Sequence, residues 1–327
     1  MRVLFWGTPL FAVPSLRALT EEGHDVVGVV TQPDRPAGRG RRLTPSPVKE
    51  VALEDGLHVM TPDPPRGEDF LAGIRALEPD ASVVVAYGHI LRREVLDVPR
   101  LGSFNVHASL LPALRGAAPV NWAIIRGHET SGVTVMRMVE AMDAGPILLQ
   151  EEEPIGATQT ATELASRLSE VGAVALVEAL ALLSVGAVAE RDQDEARATY
   201  APKVDRDTAR IDWSASAREV ADLVRGMDET PGAWSVLDGS PVKLFAPRPE
   251  TGASPSSADG PEAGDVGGGA TGPAPGTVVS RDPSRGIAVA AGSGVVWFGE
   301  VQPPGRRRML AGDWLHGRGV EEGRRFV

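Results

Sequence analysis

The chain of 327 residues contains no cysteine. This absence excludes structural disulfides, thiolate metal sites and cysteine nucleophiles, and it agrees with a reducing compartment. No apolar run approaches the length of about 18 residues that a membrane span needs. The first apolar run, residues 2–6, is too short for a signal peptide and is more typical of a first strand. These absences predict a cytoplasmic protein without a membrane partner.

Lysine is scarce as well, since only Lys49, Lys203 and Lys243 occur, and arginine supplies most of the positive charge. The formal net charge of -11 argues against a protein that coats nucleic acid without specificity. It does not exclude an RNA substrate, because a basic patch can lie on an acidic body. The hydrophobic fraction of 42% is that of a globular protein, and the length predicts two domains.

Short apolar segments alternate with helical patterns through the first half of the chain. The predicted strands are residues 3–6, 26–30, 82–86, 104–106 and 133–138, and the predicted helices are residues 12–20, 47–55, 67–77, 118–126 and 161–183. Alternation of this kind indicates an α/β fold with a Rossmann-like, doubly wound and mostly parallel sheet, covered by helices on both faces. Ligands of such sheets bind at the carboxyl ends of the strands.

The pattern changes near residue 190. We predict a catalytic domain over residues 1–189, a linker over 190–206 and a C-terminal domain over 207–327. In the last of these, a helix is followed by short strands separated by glycine and proline, which is typical of a small OB-like barrel. The helix is predicted over 217–226 and the strands over 233–237, 242–246, 276–280, 286–290 and 295–301. Residues 249–275, rich in Gly, Ala, Ser and Pro, are predicted to be a disordered insertion.

The turn after the first strand does not carry a nucleotide-binding fingerprint. It reads Gly7-Thr8-Pro9-Leu10-Phe11-Ala12, without the second and third glycines of G-x-G-x-x-G, and no P-loop motif occurs in the chain. NAD and nucleoside triphosphates are therefore not expected as ligands of these loops.

The most informative pattern is Asn105-Val106-His107-Ala108-Ser109-Leu110-Leu111-Pro112, followed later by Asp143 in a turn with Gly145. Asn105 and His107 are two positions apart, so their side chains point to one side of a strand end. An amide and a protonated imidazole can donate to a developing oxyanion, and a carboxylate can hold the imidazole charged or accept a proton. A lone histidine is more often structural, but this combination predicts acyl-level transfer without a metal.

This order of residues resembles the folate-dependent formyltransferases. The resemblance implies catalytic roles for Asn105, His107 and Asp143, and 10-formyltetrahydrofolate as formyl donor, with neither metal nor NAD. It also implies that two segments bind this cosubstrate. The segment that follows His107 contributes Ser109, Leu110, Leu111 and Pro112. The second segment resembles the one whose backbone recognises the pterin ring, and it contributes Ala86, Tyr87, Gly88, Ile90 and Leu91; His89 within it is predicted to be a variable position.

Residues 31–49 form a basic stretch rich in proline and glycine on an otherwise acidic chain. A solvated loop is one interpretation. The stretch also resembles the long loop by which the family branch acting on methionyl-initiator-tRNA holds the acceptor arm. That resemblance implies tRNA contacts by Arg35, Arg39, Arg41 and Arg42. The C-terminal barrel would be a second tRNA-binding module, with residues 306–308 either facing phosphates or forming a solvated charge run.

The resemblance as a whole implies a monomer that formylates methionyl-initiator-tRNA for translation initiation. One alternative is a formyltransferase acting on a small amine such as an amino sugar or glycinamide ribonucleotide, which the basic loop and the barrel disfavour. A non-catalytic tRNA-binding protein of the same fold is disfavoured by the intact Asn105, His107 and Asp143. A nicotinamide oxidoreductase is disfavoured by the missing glycine fingerprint.

Overall fold

The computed structural model describes residues 1–37, 40, 42–250, 272–317 and 319–327. These residues divide into two compact units. The first unit comprises Met1–Val120, Thr130–Pro154 and Glu163–Pro202, and the second comprises Asn121–Glu129, Ile155–Thr162 and Lys203–Val327. Most of the predicted linker therefore lies in the first unit. The greater part of the predicted disordered insertion, residues 251–271, lies outside the described residues.

A mixed sheet of seven strands forms the first unit, together with a separate two-stranded ribbon. In chain order, the strands are β1 (Arg2–Gly7), β2 (Asp25–Val30), β3 (Arg35–Ala37), β4 (Arg42–Thr44), β5 (Val59–Met60), β6 (Ala81–Val85), β7 (Ser103–His107), β8 (Thr130–Arg137) and β9 (Ile147–Pro154). The sheet order is β5-β2-β1-β6-β7-β8-β9, and the first five of these are parallel. The predicted Rossmann-like, mostly parallel sheet is thus confirmed.

The antiparallel edge formed by β8 and β9 extends this sheet. The sequence pattern did not predict β9, because its sequence ILLQEEEP places three glutamates in a row and glutamate is depleted in strands. Glu153 among them is buried, and its carboxylate is paired with Arg167. Glu151 and Glu152 of the same strand are exposed, so only part of this acidic run faces solvent.

The helices of the first 200 residues follow the predicted pattern closely. They are α1 (Val13–Glu21), α2 (Pro47–Glu54), α3 (Glu68–Ala76), α4 (Arg93–Leu96), α5 (Pro119–Ile125) and α6 (Ala161–Ser184), with single 3-10 turns at Leu10–Ala12 and Glu195–Arg197. Local signals explain some of these ends. Helix α2 begins after Ser46, whose hydroxyl accepts the backbone N–H of Lys49 at 3.1 Å, and Pro47 occupies its first position.

The strand order reverses between β1 and β6, because β2 follows β1 on one side and β6 lies on the other. Gly7 at the end of β1 pairs with Val85 at the end of β6, and Val84 pairs with Asn105 in β7. The carboxyl ends of these three strands therefore lie side by side. This is the position at which open α/β sheets bind their ligands.

The second unit contains an antiparallel sheet, two helices that follow residue 203, and most of α5, whose residues from Asn121 onward belong to this unit. Its elements are α7 (Ala217–Gly226), β10 (Trp234–Leu237), β11 (Ser240–Glu250), β12 (Val278–Asp282), β13 (Gly286–Ala290), β14 (Val295–Gln302), β15 (Met309–Leu310) and α8 (Ala311–His316). The strand order is β10-β11-β14-β13-β12, with β15 paired to β14. Val220, Phe298 and Trp213 belong to its shared apolar core.

The last residues of the chain close this sheet. Val236 of β10 exchanges two backbone hydrogen bonds with Val327, at 3.0 and 2.9 Å. On the opposite edge, Val278 of β12 donates to the carbonyl of Arg324 at 2.8 Å. Phe326 lies between these contacts, is 1% exposed and packs 5.7 Å from the ring of Trp213. The tail therefore joins both edge strands, and the predicted small barrel is confirmed.

Among the described residues, no helix combines the length and apolar character that crossing a bilayer requires.

Candidate active site

Strand β7 positions Asn105 and His107 at the centre of the ligand-binding edge. Asn105 pairs with Met136 of β8, and His107 pairs with Thr134. The imidazole of His107 is buried, whereas Asn105 is half-buried. Within the described part of the chain, the carboxamide of Asn105 has no hydrogen-bond partner, so its N–H groups remain available to a ligand.

The ring of His107 faces two acceptors, and one of them is within hydrogen-bond distance. Its Nε2 lies 3.0 Å from the carbonyl oxygen of Leu114. Because a carbonyl only accepts, Nε2 carries a proton and donates it. The other ring nitrogen, Nδ1, lies 3.7 Å from Oδ2 of Asp143, which is longer than a hydrogen bond. The Nδ1 edge is therefore the part of the ring left free to meet a substrate.

Asp143 lies in a turn, with φ at 50° in the left-handed region. Aspartate and asparagine tolerate this conformation better than most residues. The carboxylate accepts the backbone N–H of Gly116 at its Oδ2, over 2.7 Å. The same oxygen faces His107, so the structure brings together the predicted His107 and Asp143 across two separate loops.

The segment after His107 is fixed mainly by internal contacts, and few of its side chains are accessible to a ligand. Thr134 donates to the carbonyl of Ser109 at 2.6 Å and accepts the N–H of Leu111 at 3.1 Å. Ser109 and Leu111 are buried, and Leu111 packs in a small apolar cluster. Leu110 and Pro112 keep part of their surface. Among the four predicted cosubstrate-binding residues of this segment, these two therefore have side-chain surface left for a ligand.

The segment from Ala86 to Leu91 follows β6 at the strand reversal. Ala86 and Gly88 are exposed and adopt left-handed φ values of 47° and 90°. Ile90 is 79% exposed. The side chains of Tyr87 and Leu91 instead lie in an apolar cluster beneath the loop. Tyr87 can thus contribute its backbone but not its ring to a ligand.

The carbonyl of Tyr87 is itself tied down by neighbouring loops. It accepts hydrogen bonds from Oγ1 of Thr8 at 3.0 Å and from Nε2 of Gln32 at 2.9 Å. Arg35 in turn donates to Oε1 of Gln32. The base of the basic stretch is therefore linked to the loop after β6.

The basic stretch itself contains the two-stranded ribbon β3–β4, in which Arg35 pairs with Thr44. The sequence did not predict this ribbon, because two strands of three residues each are too short to give a periodic pattern. Arg42 is exposed, whereas the predicted tRNA-binding Arg39 and Arg41 lie outside the described residues.

A cavity of about 360 Å³ lies on the second unit, and sequence reasoning missed it. Arg206, Lys243 and Arg306 line it together with Trp234. The guanidinium of Arg206 lies 4.9 Å from the centroid of the Trp234 ring. The sequence pattern does not reveal this cavity, because Trp234 comes to lie opposite Lys243 only through the pairing of β10 with β11.

The predicted basic run 306–308 is divided in the structure. Arg306 lines the cavity, whereas Arg308 pairs with Asp228 at 2.7 Å and with Glu300, and stacks over Phe245. Arg308 is thus neutralised by two carboxylates. In the described ranges, no cluster of three or more His, Asp or Glu side chains is arranged to hold a metal ion.

Burial of Tyr87 makes the stability of the first unit depend on pH in the alkaline range. Its hydroxyl finds no hydrogen-bond partner among the described residues, and burial, aided by Asp63, raises the pKa of Tyr87 to about 12. In the unfolded chain the pKa is about 10. The folded state therefore holds more protons between these values, and the free energy of unfolding falls as pH rises from about 10 to about 12.

Tyr87→Phe is expected to remove this alkaline loss. At neutral pH it should raise the free energy of unfolding by about 1 kcal/mol, because an unpaired buried hydroxyl is removed. Urea unfolding at pH 8 and pH 11 measures both effects. Tyr200→Phe is the matched control, since Tyr200 is the only other tyrosine and is 61% exposed. Parallel pH dependence in Tyr87→Phe and the wild type would contradict the expectation.

Comparisons with known proteins agree with this architecture. The formyl transferase family model matches residues 1–180, and the model of the formyl transferase C-terminal domain matches residues 203–319. The chain is 43% identical over 325 residues to methionyl-tRNA formyltransferase of Citrifermentans bemidjiense, covering 99% of this chain and 95% of that protein. The corresponding protein of Bacillus subtilis is 41% identical over 323 residues, with coverage of 98% and 96%.

A solved structure also shares the fold. HypX from Aquifex aeolicus in complex with tetrahydrofolic acid matches with a TM-score of 0.61 and 20% identity, covering 98% of this chain. The chain spans about half of HypX, 48% of its length. Two matched domains and relatives similar over nearly their whole length show the same relationship: the chain belongs to the formyl transferase family.

Proposed function

We propose that the protein transfers the formyl group of 10-formyltetrahydrofolate to the amino group of methionyl-initiator-tRNA, giving N-formylmethionyl-tRNA for translation initiation. The observation that carries this proposal is the similarity, across both domains, to proteins named methionyl-tRNA formyltransferase. We propose further that the protein acts as a monomer. The alternative, transfer of the formyl group to a small amine, has less support, because it does not explain the arginine-rich surfaces of the two units.

The loop after β6 fits the folate cosubstrate. Ala86 and Gly88 expose backbone groups that can match the mixed donor and acceptor edge of a pterin, and Ile90 offers an apolar side chain that is 79% exposed. Leu110 and Pro112 supply further surface beside β7. When bound, the cosubstrate supplies an electrophilic formyl carbon.

Asn105 and His107 stabilise the charge that develops during transfer. As the methionyl amine attacks the formyl carbon, Asn105 donates an amide N–H to the formyl oxygen, and protonated His107 donates from its Nδ1 edge. Such donors favour the transition state, in which the oxygen is negative, over the neutral ground state. A new bond forms from the amine to the formyl carbon, and the bond from that carbon to the folate nitrogen breaks.

Asp143 balances the protons of this reaction. The attacking amine must lose one proton, and the folate nitrogen must gain one. Asp143 accepts the amine proton, directly or through a water, and the proton passes on to the folate nitrogen as its bond to the formyl carbon breaks. The charge of Asp143 also stabilises protonated His107 over the 3.7 Å that separates them.

Arginines on both units hold the tRNA. Arg42 is exposed at the basic ribbon, while Arg35 serves mainly to hold Gln32. On the second unit, Arg206, Lys243 and Arg306 present positive charge beside the ring of Trp234. Guanidinium and ammonium groups bind phosphates, and an aromatic ring can stack on an unpaired base.

The test is transfer of labelled formyl from 10-formyltetrahydrofolate to methionyl-initiator-tRNA, beside methionyl-elongator-tRNA and free methionine. Rapid transfer to the initiator tRNA alone is expected. If no tRNA accepts the formyl group while tetrahydrofolate still binds, the proposed acceptor is wrong, and the proposed formyl donor is still supported. Amino sugars and glycinamide ribonucleotide would then be the acceptors to test.

A further inference from the structure

The turn that carries Asp143 is held by contacts that the proposed chemistry does not use. Oδ2 of Asp143 lies 3.7 Å from Nδ1 of His107, just beyond a hydrogen bond. A small displacement of this turn therefore decides whether the two groups meet in the complex. Displacement of a catalytic group by 1 Å can cost about 10²-fold in rate.

Gln193 holds this turn through its backbone. Nε2 of Gln193 donates to the carbonyl oxygens of Asp143 and Gly145, both at 2.8 Å. Its Oε1 accepts from Nε and Nη2 of Arg115, at 3.1 and 2.8 Å. A glutamine amide has two N–H donors and an oxygen with two lone pairs, and all four are used here. A flipped amide would face two carbonyls with its oxygen, so its orientation is fixed.

Arg115 fixes Gln193 in turn. Its guanidinium is buried, and its Nη1 and Nη2 donate to the carboxylate of Glu195 at 2.9 and 2.7 Å. The hydrogen bond with Glu195 raises the pKa of Arg115, so the guanidinium stays charged. The next residue, Gly116, donates its backbone N–H to Oδ2 of Asp143 at 2.7 Å. Asp143 is thus held at its carboxylate by Gly116 and at its backbone by Gln193.

We propose that Gln193 is a positioning residue, which sets the distance between Asp143 and His107 without touching either substrate. The inference rests on the proposed function, because it takes His107 and Asp143 as the groups that act on the substrates. Gln193 lies in the part of the chain that the sequence indicated as a linker, and nothing in that pattern suggested a role in the site.

Gln193→Glu tests the proposal, because it keeps the size of the side chain and its pairing with Arg115. It replaces the two N–H donors by an oxygen that faces the carbonyls of Asp143 and Gly145. We expect kcat to fall about 10- to 100-fold, while KM for the folate and for the tRNA stay close to those of the wild type. The unfolding temperature should fall, because two carbonyls lose their donor, and its measurement shows that the variant is folded at the assay temperature. Asp192→Asn, at the exposed neighbouring position, is the matched control and should keep wild-type kcat.

A second readout is independent of turnover. The ¹⁵N chemical shifts of the His107 ring should change in Gln193→Glu in the same direction as in Asp143→Asn. Unchanged kcat and unchanged shifts in a folded Gln193→Glu variant would overturn the positioning role. If the wild type itself transfers no formyl group to tRNA, the proposed function fails. Changed shifts in Gln193→Glu would then still support control of the Asp143–His107 distance by Gln193, and unchanged shifts would overturn it.

Discussion

His107→Gln is expected to lower kcat for formyl transfer by about 10²- to 10³-fold, the typical effect of removing one oxyanion donor. The glutamine places its amide near the position of Nε2, so it can still donate to the carbonyl of Leu114, which limits damage to the buried loop, but it has no donor at the Nδ1 position and cannot carry the positive charge that faces Asp143. KM for both substrates should change little, because the lost interaction forms mainly in the transition state. Steady-state transfer of labelled formyl to methionyl-initiator-tRNA measures these constants.

The matched control is His58→Gln, which makes the same change at an exposed position of the first unit. It should leave kcat and the unfolding temperature unaltered. A His107→Gln variant that keeps at least half of the wild-type kcat would contradict a catalytic role for His107.

Elements with strong local signals could be predicted to the residue. Helix α7 spans Ala217–Gly226 as predicted, because Ser216 and Glu219 form a capping box and its apolar residues follow a helical period. Strand β13 spans Gly286–Ala290 as predicted, as a short apolar run bounded by turn residues. By contrast, closure of the barrel depends on Arg324 and Val327 pairing with distant strands, and such non-local pairing leaves no periodic pattern.

The candidate site likewise has some features that the sequence predicts and others that it does not. The spacing of Asn105 and His107 along one strand predicts that they share a side, and the structure places both on β7. The partners that orient His107 and Asp143 come from elsewhere: Leu114 contacts His107 through its carbonyl, and Asp143 is held by the N–H of Gly116 and the side-chain amide of Gln193. Backbone groups have no signature in the sequence. These contacts could therefore be found only in the folded chain.

The two substitutions of Asp143 are expected to separate its chemical role from its structural role. Asp143→Asn should lower kcat by about 10²-fold or more, because an amide neither accepts the amine proton nor stabilises a charged imidazole. Its stability should stay near that of the wild type. Asparagine tolerates a φ of 50°, and its amide oxygen still accepts the N–H of Gly116.

Asp143→Ala should lose at least as much activity and, in addition, stability. Alanine in the left-handed region costs about 1–2 kcal/mol, and the N–H of Gly116 loses its acceptor, which costs about 1–3 kcal/mol more. Urea unfolding of both variants measures this difference. Asp238 offers a matched control, since it has a φ of 49° and an exposed side chain in the turn between β10 and β11.

Asp238→Ala should lose stability through the same backbone strain but keep wild-type kcat. If Asp143→Asn were fully active while Asp143→Ala was unstable, Asp143 would serve only to hold the turn. If Asp143→Asn is folded and slow, the carboxylate charge itself is required. The pair of variants therefore shows whether Asp143 is needed for its charge or only for the turn. At 3.7 Å from the His107 ring the carboxylate does not form a hydrogen bond with it, so its effect on the ring is electrostatic.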